Sequence, residues 1–145
     1  IPNTTWIKKR SKHAGVESEK YTTEKVDTKI ITLDDYAEKK NIDTIDILKI
    51  DTQGYENKVL EGANQLLKKN KIKIIQLELI FSEIYENPLA IFDVEKFLIP
   101  NNYKLFATSN GGNLILDYIF QVDHIYVSAD TYEDFKDNKS PFFNN

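Results

Sequence analysis

The sequence predicts an α/β fold, a mostly parallel sheet covered on both faces, with an antiparallel pair of strands at its C-terminal edge. Three observations carry this expectation. Two short apolar runs rich in β-branched residues, Ile45 to Ile50 and Ile72 to Ile80, suit strands of a parallel sheet buried on both faces. Apolar residues recur at helical spacing between them, so strands alternate with helices. The last two strand-like runs are joined by a turn, Gly111-Gly112-Asn113, with no helix between them.

In chain order, residues 1 to about 20 are polar, without a sustained period, and read as irregular. From Glu24, Val26, Thr28, Ile30 and Thr32 alternate with polar residues, which predicts a strand ending near Thr32. Thr32-Leu33-Asp34-Asp35 then presents a hydroxyl with an acid three residues on, a helix start expected to run to about Asn41. After the strand Ile45 to Ile50, Gly54 interrupts the chain. Val59, Leu60, Ala63, Leu66 and Leu67 predict one amphipathic helix to about Lys69. The strand Ile72 to Ile80 leads into a loop, Phe81 to Asn87, containing Glu83, Tyr85 and Glu86. Pro88 suits a first helical turn, Leu89, Phe92, Val94, Phe97 and Leu98 form the apolar stripe that follows, and Pro100 stops that helix. Strands are expected over Tyr103 to Thr108 and Phe120 to Ser128, and the polar remainder, Ala129 to Asn145, is expected to fray.

The 145 residues suit one domain, and 41% hydrophobic with 29% charged residues is a globular composition. A net charge of -4 argues against general nucleic-acid binding; the one dense basic run, Lys8 to His13, reads as a solvated loop. No stretch is long and apolar enough to cross a bilayer, so no membrane partner is expected. With no cysteine, disulfides, zinc thiolates and a cysteine nucleophile are excluded, and a cytoplasmic location is expected. The chain has no methionine and begins with Ile1, which predicts that residues once preceded it and that 1–145 is a partial domain.

In open α/β sheets ligands collect at the carboxyl ends of the strands. That rule points to Asp51 to Glu56 and to Glu78 to Glu83. Asp51 ends a buried strand, where a carboxylate can hold a hydroxyl or amine or take a proton; equally, Asp51 or Thr52 can cap the next helix. Glu56 stands in a first helical turn, which the helix dipole alone would explain. Gly54 permits either a tight turn or a close ligand. Glu78 interrupts an apolar strand, where an unpaired carboxylate would cost several kcal/mol. Lys49, in the neighbouring strand, is the expected structural partner for it. Trp6, His13, His124 and Tyr85 read as ordinary structural or surface residues. No glycine-rich phosphate loop, histidine metal cluster or nucleophile elbow occurs, so no metal site is expected.

Three blocks together resemble the FkbM family of methyltransferases: Thr32-Leu33-Asp34-Asp35-Tyr36; Ile47 to Glu56 with Val59-Leu60-Glu61-Gly62-Ala63; and Ile75-Gln76-Leu77-Glu78. The resemblance covers about Lys25 to Tyr126. At Gln53 the family usually has an acid. The resemblance implies a Rossmann-like methyltransferase fold, S-adenosylmethionine as methyl donor, and O-methylation of a small molecule or sugar. By the resemblance Asp51 ends a strand close to where the donor's methyl group meets its acceptor, and Glu78 ends the next. From their place at the carboxyl rim, Asp51 or Glu56 is expected to orient or deprotonate the acceptor hydroxyl, with Lys49, Gln53, Gly54 and Glu78 expected on the substrate side. The resemblance further implies that the donor-binding strands belong upstream of Ile1. The competing expectation is a catalytically incompetent fragment or a self-associating α/β module, a homo-oligomer joined through the exposed edge of the strand ending at Ile50.

Overall fold

The structure, a computed structural model, describes residues 26–81, 89–109 and 121–139, without the side chains of 138 and 139. Its elements are α1 (Leu33–Lys40), β1 (Ile45–Ile50), α2 (Glu56–Glu61), α3 (Asn64–Lys68), β2 (Ile72–Ile80), α4 (Ile91–Leu98), a 3-10 turn (Ile99–Asn101), β3 (Lys104–Thr108), β4 (Gln121–Val127) and α5 (Ala129–Lys139). Trp6, the basic run Lys8 to His13, Glu83, Tyr85, Glu86, Pro88 and the Gly111 to Asn113 turn lie outside the described residues.

The four strands form one sheet in the order β1-β2-β4-β3. β1 runs parallel to β2, whereas β4 is antiparallel to both β2 and β3. The expected antiparallel edge pair is present, but only one of the three pairings among the described strands is parallel, where a mostly parallel sheet was expected. Register explains burial. Leu48 lies opposite Ile75, Ile50 opposite Leu77, and these in turn face Tyr126 and His124 across β4. This row joins Leu60, Ala63, Leu66, Leu67, Val94 and Leu98 of the helices in the main hydrophobic core. The alternate row, including Ile47, Lys49, Gln76 and Glu78, is half-buried or exposed. α5 packs against β2 and β3.

β1 is therefore not buried on both faces as its apolar run suggested, and Ile47 is 64% exposed. It is an edge strand, and among the described residues no strand pairs with its outer side. The strand expected to end near Thr32 is also absent. Residues 26–32 carry no strand, and Val26 and Ile30 are 74% and 88% exposed. Alternation supplies two faces, but a strand also needs a neighbour for its backbone groups, and the described residues offer this segment none.

The helix start at Thr32 forms as expected, its hydroxyl accepting from the Asp35 N–H at 3.0 Å, and Asn41 ends α1 in the left-handed conformation. Asp34 turns elsewhere. Its carboxylate accepts from the backbone N–H groups of Gln65 and Leu66 at 2.8 and 3.0 Å, capping α3 from a distant part of the chain. The Asp34 N–H also donates to the Gly62 carbonyl at 2.9 Å. The single helix expected over Val59 to Lys69 is accordingly split into α2 and α3 at Gly62-Ala63. The start of α1 packs against this corner, where a Cβ at Gly62 would stand in ordinary contact with Thr32 Cβ at 3.4 Å.

On α4, Val94 and Leu98 are buried, but Phe92, expected in the apolar stripe, is 72% exposed. Residues 129–139 do not fray. They form α5, started by Ser128, whose Oγ donates to Thr131 Oγ1 at 2.9 Å, and held by Lys104, which sits 4.1 Å above the Tyr132 ring. No helix of the described residues is long and apolar enough to cross a membrane.

Candidate active site

β1 and β2 are parallel neighbours, so their carboxyl ends deliver Asp51 and Glu78 to the same rim of the sheet. Because β4 is antiparallel to β2, its amino end lies there too, with Glu78 opposite Asp123 and Ile80 opposite Gln121. Residues separated by some seventy positions thus converge without any contribution from the helices.

The Gln53 side chain links the two acids. Its amide nitrogen donates to Asp51 Oδ1 at 2.7 Å and to Glu78 Oε2 at 3.3 Å. The other Glu78 oxygen accepts from the Gln121 amide at 2.7 Å. Glu78 therefore has partners within its strand's exposed end, and they are amides. Lys49, expected to neutralise it, instead lies 3.8 Å from Asp51. Lys49 shares a face of the sheet with Glu78 but stands opposite Gln76, two residues short of it, and Asp51 follows two residues later, just past the end of β1. Burial, reinforced by the negative charges of Asp51 and Asp123, holds the Glu78 carboxyl above its ordinary range; the Gln53 bond and Lys49 oppose this. Asp123 is itself tied to Ser109, whose hydroxyl accepts the Asp123 N–H at 3.1 Å.

Glu56 faces away from this cluster of groups. It is 2% exposed, and its oxygens accept from Thr52 N at 3.0 Å, Thr52 Oγ1 at 3.1 Å and Gly54 N at 3.1 and 3.2 Å. The first residue of α2 thus folds back to hold the two residues on either side of Gln53. Within that clamp Gln53 adopts φ 56° and Gly54 φ 100°, both in the left-handed region. Glycine takes this conformation at no steric cost; glutamine does so only where the surroundings impose it. Gly54 and Glu56 together form a tight turn closed by a buried carboxylate. Neither Asp51 nor Thr52 provides a side-chain cap for α2, whose N-cap is Tyr55.

Beside the loop lies an open cleft of about 1020 Å³ between the segment before α1 and α2. Ile30, Ile31, Leu33, Tyr36, Tyr55 and Val59 supply its apolar walls, and Lys29, Asp35 and Lys58 its charges. Its described lining reaches the site loop at Thr52 and Tyr55 but does not include Asp51, Gln53 or Glu78.

Of the residues singled out in the sequence, Asp51, Gln53, Glu78 and Lys49 come together at the rim, while Gly54 and Glu56 shape the loop behind them. Gln121 escaped notice. Nothing in its local sequence marks it, and only the antiparallel register of β4 carries it to Glu78. His124, read as an ordinary strand histidine, is 5% exposed and faces Leu77 on the core side of the sheet. Among the described residues no group of three or more histidines, cysteines or acids is arranged to hold a metal ion.

No curated protein and no solved structure matches the chain. A family model does: that of the methyltransferase FkbM domain matches residues 3–106, a span that takes in α1 through β2, the loop 51–56 and both rim acids. Covering well over half of the 145 residues, this match establishes that the chain belongs to the FkbM methyltransferase domain family.

Proposed function

We propose that the protein takes part in transferring a methyl group from S-adenosylmethionine to a hydroxyl group of a small molecule or sugar. The observation that carries this reading is the pair of acids at the carboxyl ends of two adjacent parallel strands, Asp51 and Glu78, bridged by one amide. The order β1-β2-β4-β3 with β4 antiparallel also suits one half of a Rossmann-like methyltransferase sheet.

The described residues fit such a donor in charge and shape. Carboxylates at the rim suit a molecule that carries a sulfonium and an ammonium group. The neighbouring cleft, with Tyr36 and Tyr55 among its walls, suits a flat heterocycle. When bound, the donor supplies an electrophilic methyl group. The chain's own work is then to orient the acceptor oxygen and take up its proton. We assign that task to Asp51, whose side chain is 41% exposed at the rim and within 3.8 Å of the Lys49 ammonium. With such a donor bound, Asp51 would accept the hydrogen bond of the acceptor O–H, hold that oxygen in line with the methyl group and take up its proton, the methyl passing from sulfur to oxygen and the neutral thioether leaving. Glu78 and Gln53 border the acceptor side, Lys49 tempers the charge of Asp51, and Glu56 with Gly54 fixes the loop.

Calorimetric titration of S-adenosylmethionine into the chain tests the donor assignment, and absence of heat would count against it. Asp51→Asn is expected to abolish turnover with the fold intact, and unchanged turnover would remove Asp51 from the mechanism.

Among the described residues no strand pairs with the outer side of β1 and Ile47 is 64% exposed, which supports a second reading in which copies of the chain associate edge to edge. Sedimentation over a concentration series tests it. A monomer at every concentration excludes it.

A further inference from the structure

Gln53 holds an uncommon backbone conformation at the point where two carboxylates meet. Its φ of 56° is one that glutamine seldom adopts, and the bonds of Glu56 to Thr52 and Gly54 hold the turn on both sides of it. The loop would accept glycine at this position more readily, since glycine removes the steric conflict. A side chain that carries a conformational cost invites the question of what it does, and here it ends in an amide donating to Asp51 and Glu78 at once.

An amide at that place leaves the charge of the rim to the two acids it joins. A carboxylate between two others would add a third negative charge, and a lysine would neutralise them outright. The two N–H groups of an amide satisfy one oxygen of each acid and leave both acids charged or protonated as their surroundings dictate. The remaining groups around Glu78 are Gln121 and Asp123 on β4 and Lys49 on β1. Asp51 faces Lys49 as well.

We propose that Gln53 is a positioning residue of the site, whose amide yokes Asp51 to Glu78 and so couples the protonation of one acid to the other. This rests on the reading of the rim as the acceptor side of a methyl-transfer site, but it concerns the chain's own groups and can be tested without turnover.

The experiment compares the wild-type chain with Gln53→Gly and Gln53→Leu. Carboxyl carbon shifts of Asp51 and Glu78 are followed by NMR across a pH series, and thermal melting is recorded for each variant. Gln53→Gly is expected to melt no lower than the wild type, because the backbone conflict disappears. Both variants are expected to move the Glu78 midpoint further upward, since each loses the donor that stabilises its charged form. Gln53→Leu separates donor from bulk. A Glu78 midpoint unchanged in both variants overturns the proposal, as does a shift in Gln53→Leu accompanied by none in Gln53→Gly. S-adenosylmethionine titration of the same samples distinguishes the two readings. Midpoints that shift as expected in a chain that binds no donor sustain the positioning role and sink the methyl-donor reading, whereas donor binding with unmoved midpoints does the reverse.

Discussion

Removing the Glu56 carboxylate is expected to loosen the turn that presents Gln53, and the size of the effect separates two explanations of that residue. If Glu56 acted only through the dipole of α2, its loss would cost about 0.3–1 kcal/mol. The structure instead has it 2% exposed and accepting from two backbone N–H groups and one hydroxyl. Hydrogen bonds to a charged acceptor contribute about 1.5–3 kcal/mol each, less than additively when they share one acceptor. The Thr52 hydroxyl can turn to water, but the N–H groups of Thr52 and Gly54 are fixed by the backbone. Glu56→Ala should therefore lose about 3 kcal/mol, which for a chain of this size lowers Tm by roughly 6–12 °C. Glu56→Gln, which keeps one carbonyl oxygen and nearly all the volume, should lose about 1 kcal/mol. Differential scanning calorimetry of the three proteins measures both. An alanine variant melting within about 2 °C of the wild type would fit the dipole account and refute the clamp.

Three further outcomes follow from the packing. Asp34→Ala leaves the Gln65 and Leu66 N–H groups without their cap and should cost about 1–2 kcal/mol, with Asp34→Asn recovering part of it in urea denaturation; equal stability of all three would deny the cross-fold cap. The Tyr103 hydroxyl donates to the Ile72 carbonyl at 2.8 Å, and burial pushes its pKa up to about 12. Tyr103→Phe should cost about 1–2 kcal/mol, and a variant as stable as the wild type would mean that this bond contributes nothing. His124 is held below its ordinary pKa of 6.5 by burial, against the smaller pull of Glu95 and Asp123. Its neutral form therefore stabilises the fold above pH 6.5, and that contribution is lost as pH falls through the lowered value. Urea midpoints across that range should fall less steeply for His124→Leu than for the wild type, and parallel curves would exclude His124 as the source.

Much of the sheet and of the rim was legible in the sequence, because both follow from local pattern. Ile45 to Ile50 and Ile72 to Ile80 are too apolar and too β-branched to be anything but strands, and an acid after such a strand lands at the carboxyl rim. What escaped depended on neighbours. The alternation of Val26 to Thr32 looks like a strand, yet pairing is a property of two segments and the described residues give this one no partner. The periodicity of Val59 to Leu67 looks like one helix, and only the approach of Thr32 and Asp34 to Gly62 breaks it. The polar sequence of α5 hides a helix whose support comes from Lys104, on a strand earlier in the chain. At the site, pairing Glu78 with Lys49 was a reasonable charge argument. In the structure Lys49 lies nearest Asp51 and acts on Glu78 only through its charge, because its register partner is Gln76, while two amides, one of them delivered by β4, bond to the Glu78 carboxylate.

The clamp around position 53 divides labour in a way that bears on how such a site can change. Glu56 grips backbone N–H groups at Thr52 and Gly54, which any residue except proline supplies, and Gly54 contributes only its tolerance of positive φ. The shape of the turn is thus specified by a buried acid and a glycine, whereas the chemistry offered to Asp51 and Glu78 is specified by whatever side chain stands between them. A substitution at 53 can exchange an amide for another polar tip without remaking the loop that carries it. The turn works as a fitting with a replaceable head, and the group offered to the two rim acids can change while the fold around it stays still.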